Sequence, residues 1–189
     1  MLLEKIICAG FGGQGVMSLG QLLAYGAMFD GYQVTWMPAY GPEMRGGTAY
    51  CGVVISETPV GSPLITDDVS CAIVMNLPSL RKFEHKLIPG GLLLVNSSLV
   101  DQPPARKDVL SFYLPVIEEA AMCGNQKMAN IIMLGSYLEL TGIITRNNIL
   151  KAVKKVFGPK SRGLLTCVCD ALDRGAQLVH DDDFIPAAA

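Results

Sequence analysis

The chain has 189 residues, half of them apolar and 17% charged, which suits one domain with an ample core and excludes intrinsic disorder. Fifteen basic residues against 17 acidic ones leave a net charge of −2. No global field therefore marks a nucleic-acid or membrane-surface binder.

In chain order, residues 5–9 read as a buried strand that ends at Gly10-Phe11-Gly12-Gly13-Gln14-Gly15. Apolar residues then recur at helical spacing (Val16, Leu19, Leu22, Leu23, Ala27), predicting a helix over 16–29. Residues 33–37 and 48–55 are predicted strands. The segment between them carries Pro38, Tyr40, Gly41, Pro42, Glu43, Met44, Arg45, Gly46 and Gly47, and its prolines and glycines keep it out of regular structure. Short apolar runs at 69–75 and 92–96 read as strands on either side of a helix over 77–87, with another strand at 111–114. Pro115 suits a helix start, and Glu118 and Glu119 suit its positive end. Helices are expected over 128–141, 147–157 and 163–179.

Strands alternating with helices predict a single-domain, doubly wound α/β fold. It has a mainly parallel sheet, helices on both faces and a helical C-terminal part. Residues 1–180 would form the domain and 181–189, which include Asp181, Asp182 and Asp183, a flexible tail.

Six cysteines contain no C-x-x-C pair, and His85 and His180 have no metal-like spacing, so no metal site is expected. The cysteines read as small apolar core residues, with Cys51 the one closest to the glycine-rich connection. The start, Met1-Leu2-Leu3-Glu4-Lys5, lacks the features of a leader, and no apolar run approaches the roughly 20 residues of a spanning helix. A cytoplasmic protein is expected, without a membrane or nucleic-acid partner.

Gly10-x-Gly12-x-x-Gly15 between a strand and a helix satisfies the dinucleotide fingerprint: glycines allow close backbone approach, and the helix start offers free N–H groups to an anion. The acidic ribose contact expected about 20 residues later is missing, because the next strand ends in Trp36-Met37-Pro38. Gly12 is expected to be needed for the turn itself. A nucleotide site, a purely structural turn and a functional loop of another kind all remain open on the residues alone.

Two long motifs in order resemble the gamma subunit of 2-oxoacid:ferredoxin (acceptor) oxidoreductases. They are Gly10-Phe11-Gly12-Gly13-Gln14-Gly15-Val16 and, after a strand, Tyr40-Gly41-Pro42-Glu43-Met44-Arg45-Gly46-Gly47. Met75-Asn76-Leu77-Pro78 and Lys127-Met128-Ala129-Asn130 extend the resemblance over about residues 6–178, and it is greatest to the 2-oxoglutarate or branched-chain type. The resemblance implies CoA-dependent oxidative decarboxylation of a 2-oxoacid to acyl-CoA, CO2 and reduced ferredoxin. It also implies thiamine diphosphate, magnesium and iron–sulfur clusters on alpha, beta and sometimes delta partner subunits, CoA as co-substrate and ferredoxin as acceptor. No catalytic residue is expected on this chain. Instead, residues 10–15 and 40–47 would form one edge, at the carboxyl ends of neighbouring strands, facing the partners and CoA. A free-standing nucleotide-binding protein and a non-catalytic scaffold subunit are the alternatives.

Among single residues, Arg45 is a candidate fork for a phosphate or carboxylate, with Glu43 orienting it. Tyr40 is expected to pack under its loop. Asn76 and Asn130 are candidate ligand contacts, although each could equally turn or cap the chain. Arg146, Lys151, Lys154, Lys155, Lys160 and Arg162 form a positive stretch that reads as a solvated helix face.

Overall fold

The computed structural model describes residues 1–39 and 49–181, without the side chains of Lys160 and Arg162. The Tyr40–Gly47 connection and the tail from Asp182 onward lie outside the described residues. Six strands are seen: β1 (Leu3–Gly10), β2 (Gln33–Ala39), β3 (Ala49–Ser56), β4 (Val69–Val74), β5 (Leu87–Asn96) and β6 (Leu110–Leu114). The helices are α1 (Val16–Phe29), α2 (Leu77–Phe83), α3 (Val116–Met122), α4 (Ala129–Thr141), α5 (Arg146–Phe157) and α6 (Leu165–Leu178).

The strands form one sheet in the order β2-β3-β1-β4-β5-β6. β1, β4, β5 and β6 run parallel, as the alternation of strands and helices requires. β3 runs antiparallel to both β1 and β2. The chain between β2 and β3 is too short for the crossover helix that a parallel pair needs, so the two strands fold back as a hairpin.

Side chains alternate strictly across the sheet, and this alternation splits the core in two. Ile6, Cys8, Cys51, Val53, Ile55, Cys71, Ile73 and Leu94 face a large layer built from α1, α3, α4, α5 and α6. Ile7, Ala9, Ala72, Val74, Leu93 and Val95 face the other way, where they meet Leu80 and Phe83 of α2 together with Val100. Helices do occupy both faces, but unequally: among the described residues five α-helices lie on one and the short α2 on the other.

α4 explains the imbalance. Residues Ala129–Tyr137 are all buried, so this helix is apolar on every side and must be enclosed by others. α6 crosses it closely, with Gly135 against the Leu172 backbone and Gly175 against the backbone of Ile132 and Ser136, so that a Cβ at either glycine would collide with the other helix. Across the same crossing the Ser136 hydroxyl donates to the Gly175 carbonyl at 2.8 Å. α1 approaches the sheet and α5 in the same manner. Gly20 lies against Cys51 and Trp36, and Gly26 against Ile144 and Ile149.

Three expected boundaries shift. The helix expected over 77–87 stops at Phe83 and closes with a 3-10 turn, Glu84–Lys86. β5 starts at Leu87, earlier than the expected residue 92, and its pairing with β4 skips register at Pro89-Gly90-Gly91, where Gly90 has φ +75°. The helix expected from residue 163 begins at Leu165, after a 3-10 stretch, Gly158–Gly163.

Candidate functional site

β1, β4 and β5 all end at one edge of the sheet, the position where open α/β folds gather ligands. β1 delivers the glycine loop there. Gly13 (φ +92°) and Gly15 (φ +74°) adopt left-handed backbone that residues with a Cβ avoid. Gly10 is needed for room: a Cβ there would meet Gln14 Oε1 at 2.6 Å and Met75 Cβ at 2.9 Å. At Gly15 it would strike Asn130 Nδ2 at 2.5 Å. Gly12 differs from the expectation. Its φ is not positive and its Cβ direction is open, so Gly13 and Gly15, rather than Gly12, make the turn.

Gln14 ties the loop to its neighbours. Its Oε1 accepts the Phe11 backbone N–H at 2.6 Å and the Asn76 amide at 3.4 Å, and its Nε2 donates to the Met75 carbonyl at 3.2 Å. The Met75 carbonyl also accepts the buried Asn96 amide at 3.1 Å. Asn76 caps α2, its Oδ1 accepting the Ser79 N–H at 2.9 Å. Asn130 donates to the Gly15 carbonyl at 3.1 Å, locking the start of α1 to the start of α4. The structure thus brings Gly10, Gln14, Gly15, Asn76 and Asn130 together as one network that shapes the loop. Phe11 projects outward, 39% exposed.

Beside this network lies a cleft of about 250 Å³. Gly13, Ser18 and Lys127 lie along it, with Met128, Phe157 and Val168 among its apolar lining. An amphipathic cleft beside the N-terminus of α1 can hold an elongated ligand with an anionic end, or a partner's loop. Ser18 and Asn125 carry no signal in the sequence as lining residues, because only the fold sets residues 125–127 against the glycine loop. Lys127 belongs to the Lys127-Met128-Ala129-Asn130 motif, but its place beside the cleft is set by the fold.

The dinucleotide reading meets a geometric obstacle. In that fold, the strand after the first helix lies beside β1 and offers its acidic residue to the ribose. Here β3 intervenes, so β2 stands two strand spacings away, about 10 Å instead of about 5 Å. The sequence led to the expectation that the two loops leave neighbouring strands, and the structure corrects it: β3 separates β1 from β2. β1 and β2 nevertheless run in the same direction, and Gly10 pairs with Ala49 while Ala39 pairs with Tyr50. The glycine loop and both ends of the 40–48 connection therefore share one sheet edge. Tyr40, Gly41, Pro42, Glu43, Met44, Arg45, Gly46 and Gly47 themselves lie outside the described residues.

The positive stretch is partly neutralised. Arg146 forms a two-pronged pair with Asp173 and also donates to the Cys169 carbonyl, and Lys151 donates to Asn148. Lys154 and Lys155 are exposed. Of the cysteines, Cys8, Cys51 and Cys71 are buried on the sheet face that carries the larger helix layer, with Cys8 and Cys51 directly opposite each other on paired strands. Burial pushes the Cys71 thiol well above its usual range. Among the described residues, no three His, Cys, Asp or Glu side chains converge as metal ligands do. Nor is any helix of those residues long and apolar enough to cross a membrane.

Residues 5–178 match the family described as pyruvate ferredoxin/flavodoxin oxidoreductase. The ketoisovalerate oxidoreductase subunit VorA of Methanothermobacter thermautotrophicus is 37% identical over 180 residues, 94% of this chain and 37% of that protein. This chain therefore spans little more than a third of that relative's length. The 2-oxoglutarate synthase subunit KorC of Methanocaldococcus jannaschii is 32% identical over 155 residues, 79% of this chain and 81% of the relative. In structure, the chain resembles the keto/oxoacid ferredoxin oxidoreductase gamma subunit of Geobacter sulfurreducens PCA, with a TM-score of 0.80 and 27% identity, covering 94% of this chain and 98% of the other. A match from Lys5 to Leu178 starts two residues into β1 and takes in every later strand and helix among the described residues, and on that ground the chain belongs to the pyruvate ferredoxin/flavodoxin oxidoreductase family.

Proposed function

We propose that this chain is the gamma-type subunit of a multi-subunit 2-oxoacid:ferredoxin oxidoreductase. That complex would convert a 2-oxoacid and CoA to acyl-CoA and CO2 while reducing ferredoxin. One observation carries the reading: the family match runs through the whole domain, and KorC-type relatives of similar size match along about four-fifths of their length. VorA and KorC are named for ketoisovalerate and 2-oxoglutarate, which supports those two acids over pyruvate as the substrate, with 2-oxoglutarate favoured.

In this reading, thiamine diphosphate, magnesium and the iron–sulfur clusters reside on alpha, beta or delta partners and supply the decarboxylation and electron transfer. This chain contributes shape and backbone donors. The glycine loop held by Gln14 and Asn130 lines the side of the site through which CoA enters, and the 40–47 connection faces the partner chains, with Arg45 as an anion or interface contact. Residues 1–180 act as one unit in the cytoplasm.

The test is anaerobic purification of the complex through this chain, followed by assay with 2-oxoglutarate, 2-oxoisovalerate and pyruvate, each with CoA and ferredoxin. Turnover that requires CoA supports the reading, and the preferred acid names the substrate. Arg45→Ala is expected to lower assembled activity with the fold intact. A chain that purifies alone and without colour from gently lysed cells counts against the whole reading.

A further inference from the structure

Of the three cysteines buried under the larger helix layer, two are placed as a pair. Cys8 of β1 and Cys51 of β3 are opposed residues of an antiparallel ladder. Such residues have Cα atoms about 4.5–5.5 Å apart, inside the span of about 4.4–6.8 Å that a disulfide bridges. Both side chains point to the same face, and their thiols are within hydrogen-bond reach of each other. Cys71 is opposed by Ile6 and Leu92 instead.

The two sulfurs are not equivalent. Contact with the Cys8 thiol holds Cys51 below the usual thiol range, and the nearby Trp36 indole N–H and Gly20 backbone N–H act in the same direction. The same contact, together with burial, pushes Cys8 well above that range. Cys51 is therefore the sulfur that gives up its proton first, and Cys8 the one that keeps it. Cys51 is also nearer the edge of the sheet, since only β2 lies outside β3. At Gly20 of α1, a Cβ would collide with the Cys51 sulfur and meet Trp36 Nε1 at 2.9 Å. The half-buried Trp36 in turn lines a groove of about 230 Å³ between α1 and β2. Trp36 thus touches both the groove, which admits a small oxidant, and the sulfur.

We propose that Cys8 and Cys51 are a reversible dithiol–disulfide pair that closes in response to a hydroperoxide and loosens the start of α1. The Cys51 sulfur attacks the terminal oxygen of the hydroperoxide. An S–O bond forms, the O–O bond breaks, and the leaving oxygen takes the thiol proton, so that Cys51 becomes a sulfenic acid. The Cys8 sulfur then attacks the Cys51 sulfur. An S–S bond forms, the S–O bond breaks, and hydroxide departs as water with the Cys8 proton. Two thiols lose two electrons, and the peroxide bond takes them up. In the reduced chain the Cys51 thiol donates to the Val16 carbonyl at 3.4 Å, in the first turn of α1. A disulfide has no proton to donate, so closure removes this hold next to Gly15 of the glycine loop.

The test exposes the reduced, full 189-residue chain to a few-fold excess of hydrogen peroxide. Remaining thiols are then blocked in denaturant and the peptides mapped by mass spectrometry. A Cys8–Cys51 cross-link that dithiothreitol removes is expected. Trp36 is the single tryptophan, so its emission reports on the sulfur beside it. Closure should quench it, and dithiothreitol should restore it. Cys71→Ser should keep both responses, whereas Cys8→Ser and Cys51→Ser should lose both, with circular dichroism unchanged. Cys8→Ala and Cys51→Ala replace any serine variant that fails to fold. A wild-type chain whose Cys8 and Cys51 stay free until denaturant unfolds it overturns the proposal. A cross-link between other cysteines in place of this pair, or equal quenching without Cys51, overturns it as well.

Discussion

Gln14 donates to the Met75 carbonyl at 3.2 Å, joining the glycine loop after β1 to the strand end of β4, 61 residues away. Its other amide atom accepts the Phe11 N–H at 2.6 Å, so one side chain closes the loop and anchors it. Gln14→Ala removes both contacts at a net cost of about 1 kcal/mol. Amide hydrogen exchange at Phe11 is expected to rise about fivefold, with little change in exchange at the centre of β1. Unchanged protection at Phe11 would show that the backbone holds the loop by itself.

The loop glycines should separate into two classes. Gly12→Ala meets open space at a non-positive φ and should change stability by less than about 0.5 kcal/mol. Gly15→Ala forces a left-handed residue into Asn130 and should cost about 2 kcal/mol. Denaturant melts of the two variants decide the matter, and equal losses would contradict the assignment of the turn to Gly13 and Gly15.

Gly175→Ala should be more damaging than either. The new methyl group would have to displace the Ile132 carbonyl, which is backbone and cannot rotate away, so α4 and α6 must separate. A loss of about 3 kcal/mol is expected, the upper end of overpacking effects. A thermal melt within a degree or two of wild type would mean that the helices slide past each other freely.

Glu119 is nearly buried at the start of α3, and Arg174 of α6 grips both of its oxygens, at 2.5 and 2.9 Å. Arg174→Met leaves the carboxylate unpaired and should cost about 2 kcal/mol, discounted for the partial exposure of the arginine. Adding Glu119→Gln should restore part of that loss. A double variant as unstable as the sum of the two singles would deny that the pair is coupled.

Burial, reinforced by the charge of Glu84, raises the Tyr113 hydroxyl from 10 to about 12. The folded state therefore holds this proton more tightly than the unfolded chain does. The resulting stability is complete below pH 10 and is lost as pH rises from 10 to about 12. Tyr113→Phe should flatten that part of the stability profile, although it also removes the hydroxyl bond to the Gln102 carbonyl at 3.0 Å. A wild-type profile with no decline in that window would count against the shift.

Much of the site could be read before any fold was known. A run of four glycines around Gln14 can only be a turn, and an apolar strand before it with a 3.6-residue period after it places that turn at the end of a strand and the start of a helix. The motif around Asn130 could be read too, but not its partner. That it holds the Gly15 carbonyl depends on a contact spanning 115 residues. The hairpin between β2 and β3 did carry a signal in its short connection, which cannot contain a crossover helix. Arg146 looked like part of a positive face because its partner, Asp173, comes 27 residues later on another helix.

By itself, the sequence determined the elements, the glycine turn and the uncharged stretch from Ile6 to Pro42 broken only by Asp30, because propensity, periodicity and charge are local properties. Only the tertiary structure decided which strands are neighbours, that five helices crowd one face, and that Gly13 and Gly15 rather than Gly12 carry the turn. Those outcomes depend on which apolar faces can close around the fully buried α4 and on how near two backbones can come, and both are settled by contacts between residues far apart in the chain.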